Sequence, residues 1–177
     1  MKKANYDVVV FGATSFVGKL LVAYLAEHQA RSGEPFSWAL AARNQAKLEA
    51  VRQSLGEAWQ DLPLIVADAN NPDSLQALCQ QTRVVVSTVG PYALYGEPLV
   101  KACVASGTDY CDLNGEVQWA HRMITQYRPK HGKAGQGWCF PVALIPCPPI
   151  WGASFYSSSA LNALMSPPSG CKCAHAF

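Results

Sequence analysis

Two glycines frame a short turn that has the composition of a phosphate-binding loop. The turn reads GATSFVG from Gly12 to Gly18, with Ser15 in the place of the middle glycine of a GxxGxxG pattern. It lies between an apolar strand and a helix, so its backbone amides would meet a pyrophosphate at the positive helix end. The alternative is a plain tight turn without a ligand. The candidate pyrophosphate-binding residues are Gly12, Thr14, Ser15, Phe16, Val17 and Gly18.

The second predicted strand ends where a dinucleotide would place the ribose of its adenosine half. An acidic residue there would accept a hydrogen bond from the 2′-hydroxyl of NAD, but the chain has Arg43. A guanidinium pairs with a 2′-phosphate and stacks on adenine, which favours NADP over NAD as the cofactor. A solvated arginine at a strand end is the alternative. Asp68, at the next strand end, could accept from the adenine amino group or cap a helix, although Asn71 is the better-placed cap.

A further cofactor contact is predicted at the end of the fourth strand. Gly90 would let the ribose and nicotinamide of the cofactor approach the backbone closely, at the point where the strand order reverses. A Gly-Pro pair also suits an ordinary strand-to-loop turn, which is the alternative. The candidate residues of this segment are Thr88, Val89, Gly90 and Pro91.

Four side chains near the strand ends are candidates for proton transfer: Tyr92, Tyr95, Asp112 and Glu116. A tyrosine hydroxyl or a carboxyl of raised pKa could protonate the atom that receives no hydride. Three of them have a stated structural alternative: Tyr95 packing under the loop, Asp112 holding that loop by hydrogen bonds, and Glu116 in the first turn of a helix. The Tyr-x-x-x-Lys pair of short-chain dehydrogenases is absent, and the Cys and His spacings match no zinc pattern. No catalytic residue and no metal are assigned.

These residues require a parallel sheet that brings the strand ends together. Tyr6–Phe11 is an apolar run without alternation, typical of a strand buried on both faces. A helix follows, and the alternation repeats to give five strand-helix units, which predict an α/β fold with a doubly wound, Rossmann-like parallel sheet. The other predicted strands are Ser37–Ala42, Leu62–Ala67, Arg83–Val89 and Asp109–Leu113. The predicted helices are Phe16–Gln29, Ala46–Leu55, Pro72–Gln81, Glu97–Ser106 and Glu116–Tyr127.

The composition is that of a folding chain whose partner is not a polyanion. Of 177 residues, 50% are hydrophobic and 15% are charged, which excludes the disordered class. A net charge of +2 without a basic run argues against nucleic acid. Cysteines scattered at 79, 103 and 111 are typical of a reduced, cytoplasmic protein. No signal peptide is expected, because the apolar run after Lys2-Lys3 is only Val8–Phe11 and opens into a glycine turn. No transmembrane span is expected, because prolines interrupt the most apolar stretch, 138–156.

Four blocks of the sequence resemble those of the saccharopine dehydrogenase-like oxidoreductases, and more closely their trans-acting enoyl reductase branch. They are the turn Gly12–Gly18, the pair Ala42-Arg43, VGPYALYGE from Val89 to Glu97, and GTDYCDLNGE from Gly107 to Glu116. The resemblance runs from about Tyr6 to His131. It implies an NAD(P)H-dependent reductase whose Rossmann domain precedes a longer substrate domain, acting on lipid or polyketide-like substrates. The oligomeric state cannot be read from the sequence.

The last quarter of the chain has a different composition. Residues 132–177 carry no Asp or Glu and six of the twelve prolines, and the CGFDS-(I/L)-PSD-(L/M)-G block of the family is missing. Codons for Pro141 to Gly152 can be chosen that, read two nucleotides later, spell CGFDSLPSDMG. We therefore expect a Rossmann domain over 1–131 and an out-of-frame, disordered tail over 132–177, in a truncated chain without the activity of the family. A genuine short Pro- and Ser-rich extension is the alternative.

Overall fold

The apolar runs of the sequence form one parallel sheet. The computed structural model describes residues 4–33 and 35–127 and the backbone of residues 138–139. The strands pair in the order β3-β2-β1-β4-β5-β6, and every pairing is parallel. This order, which extends outward from β1 in both directions, is the doubly wound arrangement that the sequence predicts. The strands are β1 Tyr6–Phe11, β2 Trp38–Ala42, β3 Leu64–Val66, β4 Thr82–Ser87, β5 Asp109–Asp112 and β6 Trp138–Cys139.

Five helices connect the strands and cover the sheet on both faces. They are α1 Phe16–Ser32, α2 Gln45–Ser54, α3 Pro72–Gln81, α4 Tyr92–Ser106 and α5 Val117–Tyr127, with a short 3-10 turn at Glu57–Trp59. Local side chains begin three of them: Ser15, Asn44 and Asn71 each accept a hydrogen bond from an amide in the first turn of α1, α2 and α3. Asn71 is thus the cap of α3, as its position in the sequence favours.

Alternate residues of each strand point into two separate cores. Val9 of β1 packs in the layer formed by α3, α4 and α5, and Val10 packs in the layer formed by α1 and α2. Both side chains are fully buried. Because both faces of the strand are covered, every position of its central part must be apolar, which explains the missing alternation. Each such side chain contributes on the order of 1.5–3 kcal/mol by leaving water.

The start of α4 differs from the sequence-based expectation. The predicted helix begins at Glu97, immediately before Pro98. In the structure α4 begins at Tyr92, and Pro98 lies inside the helix. The amides of Tyr92 and Ala93 donate to the Glu116 carboxylate, which stabilises the helix start from a distant loop. A contact between residues this far apart has no local signature in the sequence.

The sheet has one more strand than the five that the sequence predicts. Trp138 and Cys139 pair in parallel with Tyr110 and Cys111 at the edge of the sheet. Edge pairing uses only backbone amides and carbonyls. A two-residue strand is therefore too short to show a periodic pattern of apolar residues in the sequence. The rest of the expected tail over 132–177 lies outside the described residues. The expectation that this tail is out of frame therefore stays a prediction. Among the helices of the described part, none has the length and apolar character needed to cross a membrane.

Candidate cofactor-binding site

A cleft of about 340 Å³ opens at the carboxyl ends of the central strands. It is bounded by the turn after β1, by the ends of β2 and β3, and by the segment between β4 and α4. In a doubly wound sheet this edge is where ligands bind. Eight of the twelve candidate cofactor-binding residues lie in its wall: Gly12, Thr14, Ser15, Arg43, Asp68, Thr88, Val89 and Gly90.

The turn after β1 has the backbone shape that its glycines allow. Gly12 has a φ of 91°, and a Cβ atom there would lie 2.6 Å from the Thr88 hydroxyl oxygen. At Gly18 a Cβ atom would run into the carbonyl group of Gly12. Both positions therefore require glycine, the first for its φ and the second for the close packing of α1 on the turn.

The first amides of α1 remain available to a ligand. Ser15 uses its hydroxyl oxygen to accept from Gly18 N at 2.9 Å, so its side chain is the helix cap. Among the described residues, the amides of Thr14, Phe16 and Val17 have no hydrogen-bond partner. The side chains of Phe16 and Val17 lie outside the cleft wall, and Phe16 is 81% exposed. These residues can serve an anion only through their amides, at the positive end of α1.

Thr88 joins the two sides of the cleft. Its hydroxyl is within 3.0 Å of the Gly12 carbonyl oxygen, to which it donates, and lies 3.1 Å from the Ser15 hydroxyl oxygen. Its backbone amide donates to the carbonyl of Phe11 at 2.9 Å. The end of β4 is therefore fixed directly to the turn after β1. The neighbouring residues Val89 and Gly90 continue the cleft wall, whereas Pro91 lies outside it as the N-cap residue of α4.

Arg43 and Asp68 lie at the other end of the cleft. Arg43 is exposed, and within the described residues it has no ion pair. Asp68 accepts a hydrogen bond from the amide of Asn70 at 2.9 Å, which shapes its own loop, and it does not cap α3. Asn70, in the same loop, is a cleft residue that the sequence reasoning missed, although its position just beyond a strand end was a usable signal.

The candidates for proton transfer have different surroundings. Asp112 is fully buried, accepts from Tyr110 Oη at 2.9 Å and from the Asn114 side-chain amide, and burial raises its pKa to about 6. The Tyr92 hydroxyl donates to the Ser87 carbonyl at 3.0 Å, and burial raises its pKa to about 12. Tyr95, in contrast, lines the cleft and is partly exposed. These hydrogen bonds are the structural alternative that the sequence left open for Asp112.

A protein-family model described as the saccharopine dehydrogenase NADP binding domain matches residues 8–137. The match therefore continues beyond His131, where the resemblance seen in the sequence ends. A trans-acting enoyl reductase of Mycobacterium tuberculosis is 45% identical over 131 residues, which is 74% of this chain and 30% of the relative. One of Mycobacterium leprae is 45% identical over 133 residues, 75% of this chain and 31% of the relative. The chain thus spans about 30% of the length of these relatives.

Solved structures with the same fold include two oxidoreductases. Saccharopine dehydrogenase (L-Glu forming) from Saccharomyces cerevisiae superposes with a TM-score of 0.59 at 18% identity, covering 80% of this chain and 28% of that one. Triphenylmethane reductase from Citrobacter, complexed with NADP(H), gives a TM-score of 0.54 at 17% identity, covering 76% of this chain and 48% of that one. At such identities the likeness concerns the fold alone.

Proposed function

Because this chain belongs to the saccharopine dehydrogenase NADP-binding-domain family, we propose that it binds NADPH in the cleft and forms the cofactor-binding part of a reductase. One observation carries the proposal. The unpartnered amides of α1 and the two required glycines stand together at the edge of the sheet where a pyrophosphate would lie. At both glycine positions a Cβ atom would clash with neighbouring protein atoms, so the turn keeps this shape only with glycine. The chain therefore fits the dinucleotide on geometry as well as by family.

We assign the three parts of the cofactor to three parts of the cleft wall. The pyrophosphate is bound by the amides at the start of α1, beside Gly12 and Thr14. The adenosine half lies towards Arg43, which pairs with its 2′-phosphate, and towards Asp68, which faces the adenine. The ribose and nicotinamide lie along the segment Thr88–Gly90. The dinucleotide then follows the strand order from β3 through β1 to β4.

The proposed reaction is the reduction of an unsaturated acyl group. Bound NADPH supplies the hydride, and the protein binds and orients it. The class of substrate rests on the curated relatives, which are named trans-acting enoyl reductases. A lipid-like acyl substrate and a cytoplasmic location, where NADPH is available, belong to the same proposal. Tyr95 is the one candidate proton donor in the cleft wall, but nothing assigns it a catalytic role.

A nucleotide-binding module without turnover is the second candidate. It is favoured because three of the candidate proton donors already take part in structural hydrogen bonds. Tyr92 donates to the Ser87 carbonyl, Asp112 accepts from Tyr110, and Glu116 accepts from the Tyr92 amide. Each of these side chains then has a structural use that needs no reaction. Within the described residues, no side chain of the cofactor cleft is assigned to proton transfer.

Titration of the 177-residue chain with NADPH tests the shared part of both candidates. We expect saturable binding that quenches or enhances nucleotide fluorescence and that is tighter for NADPH than for NADH. The absence of saturable NADPH binding would refute the proposed function. Following NADPH absorbance with a short enoyl thioester then separates the candidates, because only a reductase consumes the cofactor.

A further inference from the structure

Two helices begin at the edge of the cleft, and their first amides have different partners. The amides of Phe16 and Val17 at the start of α1 have none among the described residues, whereas those of Tyr92 and Ala93 at the start of α4 are occupied. Glu116 accepts from Tyr92 N at 2.7 Å through one carboxylate oxygen and from Ala93 N at 2.9 Å through the other. The N-cap residue of α4, Pro91, makes no side-chain hydrogen bond to the helix. A carboxylate from another loop therefore does what a local cap does in the other helices.

The position of Glu116 is itself fixed by a chain of hydrogen bonds from β5. Its backbone amide donates to the side-chain oxygen of Asn114 at 3.1 Å. The side-chain amide of Asn114 donates to the buried Asp112, which in turn accepts from Tyr110. Asn114 is also buried. The carboxylate of Glu116 is therefore presented to α4 by a polar network anchored in the sheet, and it is not a loosely placed surface group.

Residues 88–91 include the nicotinamide side of the cleft, and hydrogen bonds hold the residues at both ends of this segment. At one end Ser87 closes β4, and its carbonyl accepts from the Tyr92 hydroxyl at 3.0 Å. At the other end the Tyr92 amide is held by Glu116. The Tyr92 hydroxyl also accepts from Leu113 N at 3.3 Å, which links the same ring to the loop after β5. Residues 88–91 are therefore held at both ends by these bonds.

We propose that Glu116 is a positioning residue for the nicotinamide half of the cofactor. The inference rests on the proposed binding of NADPH in the cleft. Glu116 acts through α4: its carboxylate fixes the helix start and so holds Val89 and Gly90 at the distance that the ribose and nicotinamide require. Arg43 and Asp68 lie on loops that make no contact with Glu116 among the described hydrogen bonds. The adenosine end is therefore independent of this residue.

Comparison of two ligands in the full chain tests this role. NADPH engages the whole cleft, whereas adenosine 2′,5′-bisphosphate carries the adenosine and its 2′-phosphate but no nicotinamide. Glu116→Gln keeps the size of the side chain and one acceptor but removes the charge and the second acceptor. We expect Glu116→Ala to weaken NADPH binding about tenfold and Glu116→Gln less, with bisphosphate binding changed by less than about twofold.

Glu97→Gln is the matched control. Glu97 is an acid of α4 that joins this helix to α5, because it accepts from the Tyr127 hydroxyl at 3.0 Å, but it lies outside the cleft wall. Its replacement should alter thermal stability without changing the ratio of the two affinities. A general loss of stability lowers both affinities together, so the ratio isolates positioning from folding.

The outcomes separate this inference from the function on which it rests. If the wild-type chain binds neither ligand, the proposed function fails, and this inference fails with it. If the wild type binds both, and Glu116→Gln and Glu116→Ala leave the ratio unchanged, the positioning role is refuted while cofactor binding stands. If Glu116→Ala does not fold, the ratio in Glu116→Gln decides alone, and the expected result there is a selective loss of NADPH affinity.

Discussion

Replacing Arg43 by alanine should convert a chain that prefers NADPH into one that hardly distinguishes the two cofactors. Arg43 directly follows β2 in the cleft wall, is exposed, and has no ion pair within the described part of the chain. Removing its guanidinium therefore takes no ion pair from the fold. We expect the free energy of unfolding to change by no more than about 0.5 kcal/mol, as at other exposed sites.

The effect on binding follows from the chemistry of the pair. A hydrogen bond between charged groups contributes about 1.5–3 kcal/mol, and the exposure of Arg43 places it at the lower end of that range. A loss of about 1.5 kcal/mol corresponds to about a tenfold weaker NADPH complex. NADH lacks the 2′-phosphate, so its affinity should change by less than about twofold. High salt should reduce the wild-type preference, since it screens an exposed pair.

Fluorescence titrations with NADPH and NADH at low and high ionic strength would measure this preference. Arg122→Ala is a control that removes the same charge from an exposed position of α5 outside the cleft wall. An equal loss of affinity for both cofactors would show that Arg43 stacks on adenine or supports the fold instead of selecting the phosphate. Unchanged affinity for both would remove Arg43 from the site altogether.

Further substitutions test the glycine turn and the buried acid. Gly12→Val should cost on the order of 2 kcal/mol of stability through its positive φ and weaken NADPH binding at least about tenfold; unchanged NADPH affinity in a folded variant would remove the turn from the site. Gly18→Val should displace α1 and lower both the melting temperature and NADPH affinity, whereas Gly115→Ala, which meets nothing within 4 Å, should leave both unchanged. Burial raises the pKa of Asp112 from 3.8 to about 6, so the folded chain retains a proton that the unfolded chain releases. The stabilisation from this proton is complete below about pH 4 and is lost by about pH 6, a change on the order of 3 kcal/mol that Asp112→Asn should abolish. Denaturant titrations from pH 4 to 7 would measure the free energy of unfolding at each pH. If this free energy changes with pH equally in the wild type and in Asp112→Asn, the assignment is contradicted.

The sheet could be predicted from the sequence because its strands have a clear local pattern of apolar residues. The run Val8–Phe11 has no polar interruption, and the glycine turn and helix follow it at once. Parallel strands covered on both faces need such runs, so the type and order of these elements follow from local patterns. The strand ends then identify the cleft, since ligand-binding loops in this fold follow the carboxyl ends of strands.

The contacts between loops could not be predicted in the same way. Glu116 and Tyr92 are 24 residues apart, and nothing in either local sequence indicates that a carboxylate accepts from that amide. The predicted start of α4, Glu97, is therefore later than the observed start at Tyr92. The same is true of Thr88, whose hydroxyl contacts a turn 76 residues earlier in the chain. Such pairs depend on how the strands are ordered in the sheet, which periodicity alone does not determine.

The contact between Thr88 and the turn after β1 has a consequence for the entropy of binding. Because the Thr88 hydroxyl donates to the Gly12 carbonyl, the phosphate side and the nicotinamide side of the cleft are joined before any ligand arrives. A ligand that enters such a preformed site does not have to order two independent loops, and each ordered side chain would otherwise cost about 0.5–1.5 kcal/mol. The entropy lost on ordering the two sides of the cleft is therefore lost when the chain folds, and not when the ligand binds.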